Sequence, residues 1–337
     1  MKQVKFFIGT DVSKEWLDMC IMLHEKVLHG SRIANKPSAI RAWIRGTQKQ
    51  YGYSVEETLF ALEFTGIYGG HLLGVLHQMG ASVWLIPGIL ISKADGLQRG
   101  KSDKQDAVRI ADYAYSNPKK VRLWKKPRQV LEELQTLLLI REKLQRTKHQ
   151  YQTTLKEYKG YGGQHEYKLI KTTSTAMLKV TLKELEGIEK EILALIKSDE
   201  KLNELHGYIT SVDAVGVITS ANMLVTTNEF LDITEAKKYA CYGGVAPFKD
   251  GSGKVIKKDK VSHKANKKIK KLLHLVAMSA IRMKGEIKQY YERKIKEGKN
   301  KMSVINAIRN KIILRIFACV NNKKKYEKNY VYSFAKP

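Results

Sequence analysis

Acidic residues are scarce in this sequence, and that shortage narrows the choice of partner. The chain of 337 residues has 33 Asp and Glu against 61 Lys and Arg, which gives a formal net charge of +28 at pH 7. So large a positive charge indicates a polyanionic partner, either DNA, RNA or, less favourably, an anionic membrane surface.

Cysteine is almost absent as well. The three cysteines, Cys20, Cys241 and Cys319, lie far apart and form no C-x-x-C pair. We therefore exclude a disulfide scaffold and expect free thiols in a reducing, cytoplasmic compartment. The nine histidines show no zinc-ligand spacing.

Long apolar runs are missing too. No stretch of about 18 apolar residues could span a membrane, and Met1–Val4 leads directly into a predicted strand without a signal-peptide layout. None of the glycine-rich stretches matches the phosphate loop of ATPases. The sequence thus predicts no membrane contact and no ATP requirement.

At 43% hydrophobic residues, the chain can build two or three folded domains. Residues 1–120 alternate between strand and helix patterns, in an order that suits a ribonuclease-H-like (RuvC-like) α/β sheet. The predicted strands are Val4–Thr10, Trp16–Leu23, Thr58–Glu63 and Ser82–Ile86, and the predicted helices are Ser38–Gln50, Tyr68–Met79 and Lys104–Tyr115.

The remainder reads as mostly helical. Residues 121–204 carry imperfect seven-residue repeats, such as Leu137, Leu144, Tyr151 and Tyr158, with a glycine-rich break and an apparent extra linker at 160–175. They predict a coiled-coil arm, either an antiparallel hairpin that dimerises or two helices packed in one monomer's core. Residues 205–322 form a third domain, and 323–337 form a basic tail with aromatic residues.

Four carboxylates stand where strands end and a helix begins. Asp11 and Glu63 each end an apolar run, and Asp103 and Asp106 lie three residues apart at a helix start. Such carboxylates can converge into an oxygen-ligand site for Mg²⁺ or Mn²⁺, the metals of phosphoryl transfer. The alternative for each one is an ordinary surface or capping residue; Asp103 could simply cap its helix.

Ser252 lies between two glycines in a lysine-rich segment. Such a serine sits on exposed, mobile backbone, can approach a phosphodiester closely and can act as a covalent nucleophile when activated, although flexible loops often have the same composition. The lysines around it predict contacts with nucleic-acid phosphates, or else a solvated helix face over Lys257–Lys271; they are Lys254, Lys257, Lys258, Lys260, Lys264, Lys267, Lys268 and Lys271.

These motifs, in this order, closely resemble the DEDD-type insertion-sequence transposases of family one-ten, relatives of the Piv/MooV DNA invertases. The resemblance covers nearly the whole chain. It depends on the segments 8–14, 63–68, 101–107 and 242–247, on Ser252-Gly253 and on a basic helix beginning near Lys264. The chain departs from the family at 211–216, where Ala214 replaces the first glycine of a hairpin turn, and Ser262 is a second candidate serine.

The resemblance implies a RuvC-like nuclease domain, a coiled-coil arm and a C-terminal transposase domain. It makes Asp11, Glu63, Asp103 and Asp106 metal ligands and Ser252 the nucleophile that forms a covalent phosphoserine link. It further implies double-stranded donor and target DNA, a structured bridge RNA that pairs with both, and a dimer or tetramer whose subunits share an active site.

Three other functions remain open from the residues alone. A RuvC-type Holliday-junction nuclease would use the same carboxylates with water as the nucleophile. A site-specific invertase would differ only in the arrangement of its DNA sites. A nucleic-acid-binding protein without activity would show no strand cleavage.

Overall fold

The computed structural model describes residues 4–63, 66–94, 103–252, 255–261 and 265–327; for 93–94, 103–104, 249–252 and 255–260 the description covers the backbone and not the side chains. The chain divides into two compact units, Met1–Lys126 and Pro127–Pro337. No helix within the described ranges is long and apolar enough to cross a lipid bilayer.

The first unit is built on one five-stranded mixed sheet. The strands are β1 (Phe6–Val12), β2 (Trp16–Leu23), β3 (Lys26–Ala34), β4 (Thr58–Glu63) and β5 (Ser82–Ile86). Their order across the sheet is β3-β2-β1-β4-β5. β1–β3 form an antiparallel meander, whereas β4 and β5 run parallel to β1.

Helices cover both faces of this sheet. They are α1 (Pro37–Tyr51), α2 (Gly70–Gln78), α3 (Gly88–Ala94) and α4 (Asp103–Ser116). On one face, Ile40 of α1 and Leu72 of α2 share a core with Ile8 of β1. On the other, Ala111 of α4 shares a core with Phe7. Because successive strand residues point to opposite faces, the apolar runs in the sequence serve both cores.

The four predicted strands and three predicted helices are all present, with ends displaced by up to two residues. β3 was not predicted. Its sequence interrupts the apolar residues with His29, Gly30 and Arg32, and nearly all of its residues are exposed or half-buried because it lies at the edge of the sheet. An edge strand with so little buried surface has a weak sequence signal.

The second unit is mainly helical. Its elements are α5 (Gln129–Tyr161), α6 (Gln164–Ser198), α7 (Glu200–Thr210), α8 (Val217–Thr227), α9 (Ala236–Tyr242), β6 (Pro247–Ser252), β7 (Val255–Val261), α10 (Lys267–Arg282), α11 (Glu286–Lys296) and α12 (Lys301–Asn321). One hydrophobic core runs from Leu131 of α5 to Val320 of α12.

α5 and α6 pack side by side and are separated only by Gly162 and Gly163. The predicted linker at 160–175 is therefore wrong, since all of it except these two glycines is helical. The base of this helical hairpin, including Ile192 and Ile196, lies in the same core as the residues that follow. The boundary expected at 204/205 falls inside α7.

The helix expected over Lys257–Lys271 is also wrong in its first half. Lys257, Lys258 and Lys260 lie on β7, which pairs with β6 in an antiparallel hairpin. The β-branched Val255, Ile256 and Val261 favour a strand. α10 begins only at Lys267, where the Asn266 side chain accepts a hydrogen bond from the Ile269 N–H at 3.1 Å.

Ala214 keeps the backbone conformation for which glycine is suited. Its φ is +67°, in the left-handed region, and the turn it belongs to leads directly into α8. An alanine in this conformation carries a strain of about 1–2 kcal/mol that glycine would not.

The packing of α4 on β1 depends on the absence of a side chain at Gly9. A Cβ built at Gly9 would lie 2.2 Å from the Ala107 carbonyl oxygen and 2.5 Å from the Ala111 nitrogen. The helix backbone thus rests directly on the strand, and small residues, Ala107, Ala111 and Ala114, line the contact.

We predict that Gly9→Ala destabilises the protein by about 1–3 kcal/mol, because the new methyl group collides with backbone that cannot rotate away. Denaturant unfolding checks this. Gly46→Ala is the matched control, since an added Cβ there meets nothing within 4 Å, and alanine in a helix interior should stabilise by up to about 1 kcal/mol. Equal stability of the two variants would contradict this account of the packing.

Candidate metal centre and nucleic-acid face

Asp11 and Glu63 lie beside each other at the carboxyl ends of parallel strands. β1 and β4 pair in register from Phe6 opposite Thr58 to Thr10 opposite Leu62. One further residue brings Asp11 opposite Glu63, about 4.8 Å away across the ladder. Along its strand, each of the two residues is an even number of positions from residues of the core beneath α4. Both therefore lie on the α4 face of the sheet.

α4 runs antiparallel to β1 and brings its first turn to the same place. The rings of Phe7 and Tyr115 lie 5.4 Å apart, while Gly9 contacts Ala107 and Ala111. Because the strand and the helix run in opposite directions, Asp11, two residues further along β1 than Gly9, lies level with the start of α4. Asp103 is the first residue of α4 and precedes Ala107 by one turn; its side chain lies outside the described residues.

Asp106 lies in the same first turn. Its Oδ1 accepts a hydrogen bond from Arg109 Nη1 at 2.9 Å, and the ion pair is partly buried. The carboxylate is thus oriented by a cation one turn further along the helix. Arg109 is not one of the site residues predicted from the sequence.

The Glu63 carboxylate lies against the start of α3. A Cβ at Gly88 would come within 1.9 Å of Glu63 Oε1. The space that this carboxylate occupies therefore exists because residue 88 has no side chain.

Asp18 extends the row of carboxylates, and sequence reasoning missed it. It is the antiparallel partner of Asp11 on β2, and only 4% of it is exposed. Arg32, its own partner on β3, donates to both carboxylate oxygens at 2.8–3.1 Å. An acidic residue at a core-facing position of an apolar strand was the signal that could have revealed it.

The donor set fits a hard divalent cation in its chemistry. Carboxylate oxygens at Asp11, Glu63 and the first turn of α4 are the ligands that Mg²⁺ and Mn²⁺ prefer. Among the described side chains, which do not include that of Asp103, no three Asp, Glu, His or Cys residues are close enough together to hold a metal ion. Asp11, Glu63 and Asp106, whose side chains are described, therefore do not by themselves form a three-residue metal site.

Ser252 lies in the second unit, at the end of β6, where it pairs with Val255 of β7. The sequence predicted a mobile loop; the structure instead has a strand that ends at Ser252. Gly253, Lys254, Ser262 and Lys264 lie outside the described residues, and so do the side chains of Ser252, Lys257, Lys258 and Lys260.

The other lysines line a basic groove between α5, α8 and α10. Its volume is ≈ 820 Å³, and Lys267, Lys268 and Lys271 form one wall. Arg141 and Arg146 of α5 line it as well. Neither arginine is among the phosphate-contacting residues predicted from the sequence.

Two carboxylates neutralise part of this groove, and the first is Glu189, which pairs with Arg141 at 2.7 Å. Glu142 accepts from Lys268 at 2.9 Å and from Arg146 at 2.6 Å. The hydrogen bond from Lys268 is the main reason that the pKa of Glu142 lies below its ordinary value. Glu142 therefore stays ionised and competes with any phosphate for these two cations.

We predict that Gly88→Ala leaves stability nearly unchanged but weakens divalent metal binding about tenfold or more. The new methyl group would displace the end of a flexible side chain, the Glu63 carboxylate, rather than backbone. Calorimetric titration with Mn²⁺ measures the affinity. Gly74→Ala, where a Cβ meets nothing within 4 Å, should bind as the wild type does; equal affinity in all three proteins would count against Glu63 as a ligand.

Comparison with known families identifies the chain. Residues 8–159 match a family profile described as a transposase with the DEDD motif of IS110, and residues 206–292 match one described as "Transposase IS116/IS110/IS902 family". The two matches together span more than two thirds of the chain, and they include the carboxylates and Ser252.

Similar proteins agree with these profiles. The "Pilin gene-inverting protein" of Moraxella lacunata and that of Moraxella bovis are each 24% identical over 332 residues, which covers 96% of this chain and 98% of theirs. An IS110 insertion-element protein of Streptomyces coelicolor is 27% identical over 141 residues, covering 42% of this chain and 34% of its own.

Among solved structures, Thermus thermophilus RuvC bound to a Holliday junction matches at 14% identity and a TM-score of 0.29, covering 35% of this chain and 99% of RuvC. The chain carries both conserved regions of the IS110 family in their order, and it is a transposase of that family.

Proposed function

We propose that this transposase cuts and rejoins donor and target DNA through a covalent phosphoserine formed by Ser252, under the guidance of a structured RNA. The placement of Asp11 and Glu63 at the ends of neighbouring parallel strands, with α4 beginning at the same edge of the sheet, is the observation that carries the proposal. It supports a centre for phosphoryl transfer in a chain with a net charge of +28.

Asp11, Glu63, Asp103 and Asp106 would hold the divalent cation, as the family resemblance implies. The bound cation would supply Lewis-acid stabilisation of the phosphate charge. Asp18 is buried and held by Arg32, so it does not readily change partners. We therefore propose that Asp18 helps to position Asp11, its neighbour on the adjacent strand, rather than binding the metal itself.

Each step of the proposed chemistry exchanges one phosphodiester bond for another. The Ser252 oxygen loses its proton and attacks the phosphorus; the new O–P bond forms as the bond to the 3′ oxygen breaks, and that oxygen leaves as a 3′-hydroxyl. A 3′-hydroxyl of the other DNA then attacks the phosphoserine and releases Ser252. No ATP is needed, because each bond broken is replaced by one of the same kind.

The basic groove supports nucleic-acid binding by the same chain. Lys267, Lys268 and Lys271 face Arg141 and Arg146 across it, an arrangement suited to a phosphate backbone. RNA guidance and a subunit-shared active site, in which Ser252 comes from another copy, rest on the family resemblance. RNA pairing would supply sequence recognition that backbone contacts alone do not provide.

Site-specific inversion is the second candidate function. It is favoured by the two relatives named for pilin gene inversion, because they align along almost their entire length. The chemistry would be the same, and only the arrangement of the two DNA sites would differ. Junction substrates with direct and inverted sites distinguish the two outcomes.

We predict that Ser252→Ala abolishes the protein–DNA adduct, a loss of more than about 10³-fold, because it removes the attacking oxygen. The assay combines purified protein, Mg²⁺, RNA transcribed from DNA flanking the gene and labelled element-junction DNA on a denaturing protein gel. Asp11→Asn should remove both adduct and cleavage. Cleaved DNA without an adduct, equal in the Ser252 variant, would instead establish a nuclease that uses water.

We predict that Glu142→Gln tightens nucleic-acid binding about threefold to tenfold, because it frees Lys268 and Arg146 for phosphates. Fluorescence anisotropy at fixed salt measures the affinity. Glu186→Gln is the control, since it makes the same charge change in an exposed pair with Lys190 outside the groove. An equal gain in both variants would show that net charge, and not the groove, is responsible.

A further inference from the structure

A buried arginine in α12, Arg309, has no acidic partner among the side chains that the structure describes. Arg309 is only 5% exposed. Its Nη2 donates to His274 Nδ1 at 2.6 Å, its Nε has no hydrogen-bond partner, and no carboxylate of the described chain forms an ion pair with it. A buried cation without a counter-charge is costly, so an anion is the partner that this site lacks.

The neighbouring residues on α10 orient Arg309 and add a second positive charge for such an anion. His274 must be neutral to accept the hydrogen bond, and burial together with the charge of Arg309 lowers the pKa of His274. His274 and Lys270 lie one turn apart on α10, so the same helix that orients Arg309 places a second cation beside it.

Arg309 and Lys270 line a cavity of ≈ 710 Å³ with Ser303 and Asn310 of α12. The described residues of its wall include two cations, several hydrogen-bond donors and no carboxylate. A volume of this size is larger than a single ion requires and is comparable to that of small-ligand sites.

The cavity is connected to the hairpin that carries Ser252. Pro247, where β6 begins, and Val261, where β7 ends, form part of its wall. Asn306 of α12 donates to the Val245 carbonyl oxygen at 2.7 Å and so fixes the chain just before β6. Ser252 is the fifth residue after Pro247 on β6, about 17 Å away at the usual rise per residue.

We propose that this cavity binds one phosphodiester group of the nucleic acid, with Arg309 and Lys270 supplying the charge and Ser303 and Asn310 supplying hydrogen bonds. This inference rests on the proposed function for the identity of the ligand. The bound phosphate lies at the base of the hairpin that carries Ser252. Arg309 is therefore a positioning residue that fixes where Ser252 meets the backbone.

The first experiment uses inorganic phosphate as the probe. Thermal unfolding of the full chain is followed in phosphate and in chloride at equal ionic strength. We expect phosphate to raise the wild-type Tm by several degrees through preferential binding to the folded state. Arg309→Met should abolish the shift while folding normally, because an apolar chain of similar size replaces an unpaired buried charge.

Asn310→Asp tests the same site without removing Arg309. It places a carboxylate in the wall of the cavity, where it can pair with Arg309, so it should remove the phosphate effect while keeping or raising the Tm. Lys311→Ala on the same helix is the control; it lowers the net charge equally, and Lys311 lies over the Tyr290 ring instead of in the cavity wall. It should keep the phosphate effect.

The second experiment identifies the source of the phosphate. Affinities for a labelled DNA duplex and for the flanking RNA are measured across a range of salt. Arg309→Met should weaken whichever nucleic acid occupies the cavity about tenfold and reduce the salt slope by about one. A loss for DNA alone or for RNA alone supports the site and names its ligand.

Unchanged affinity for both nucleic acids would overturn the proposal, even if inorganic phosphate still raised the Tm. Failure of the recombination chemistry gives a different result. A wild-type protein that never forms the Ser252 adduct, but whose binding still depends on Arg309, would refute the phosphoserine mechanism and leave this site intact.

Discussion

The direct contact between the backbone of α4 and β1 at Gly9 is the constraint on which the candidate metal centre depends. With no Cβ at this position, the helix lies close enough to bring its first turn to Asp11. A helix displaced by even one methyl group would move Asp103 and Asp106 away from the strand ends. The geometry of the centre is thus set by packing two residues and one helical turn away from it.

Electrostatics explains why this close arrangement calls for a cation. Asp18, Asp11 and Glu63 occupy neighbouring strands, which are spaced by about 4.8 Å, so their charges repel one another. Arg32 offsets one charge at the edge of the row, and Arg109 offsets that of Asp106. Closely spaced carboxylates of this kind are the oxygen ligands that a divalent cation prefers.

In the second unit, helix α10 contributes lysines to two separate surfaces. On α10, Lys267, Lys268 and Lys271 line the groove with α5, whereas Lys270 lines the cavity beside Arg309. The helical repeat of 3.6 residues divides this run of lysines between opposite sides. A segment that looks like a uniform patch of charge therefore makes two chemically different sites, one open and partly neutralised by Glu142, the other built around a buried cation.

The sequence by itself determined the main elements and the positions of Asp11 and Glu63, because apolar runs end where buried strands end. It also determined the need for a polyanion, since charge depends only on composition. It did not reveal Arg32 as the partner of Asp18, β7 in place of a helix, or the pairing of His274 with Arg309. The two side-chain pairs join residues 14 and 35 positions apart, and β7 is a strand only through its pairing with β6, so the energies of these contacts decide the outcome only when the chain has folded.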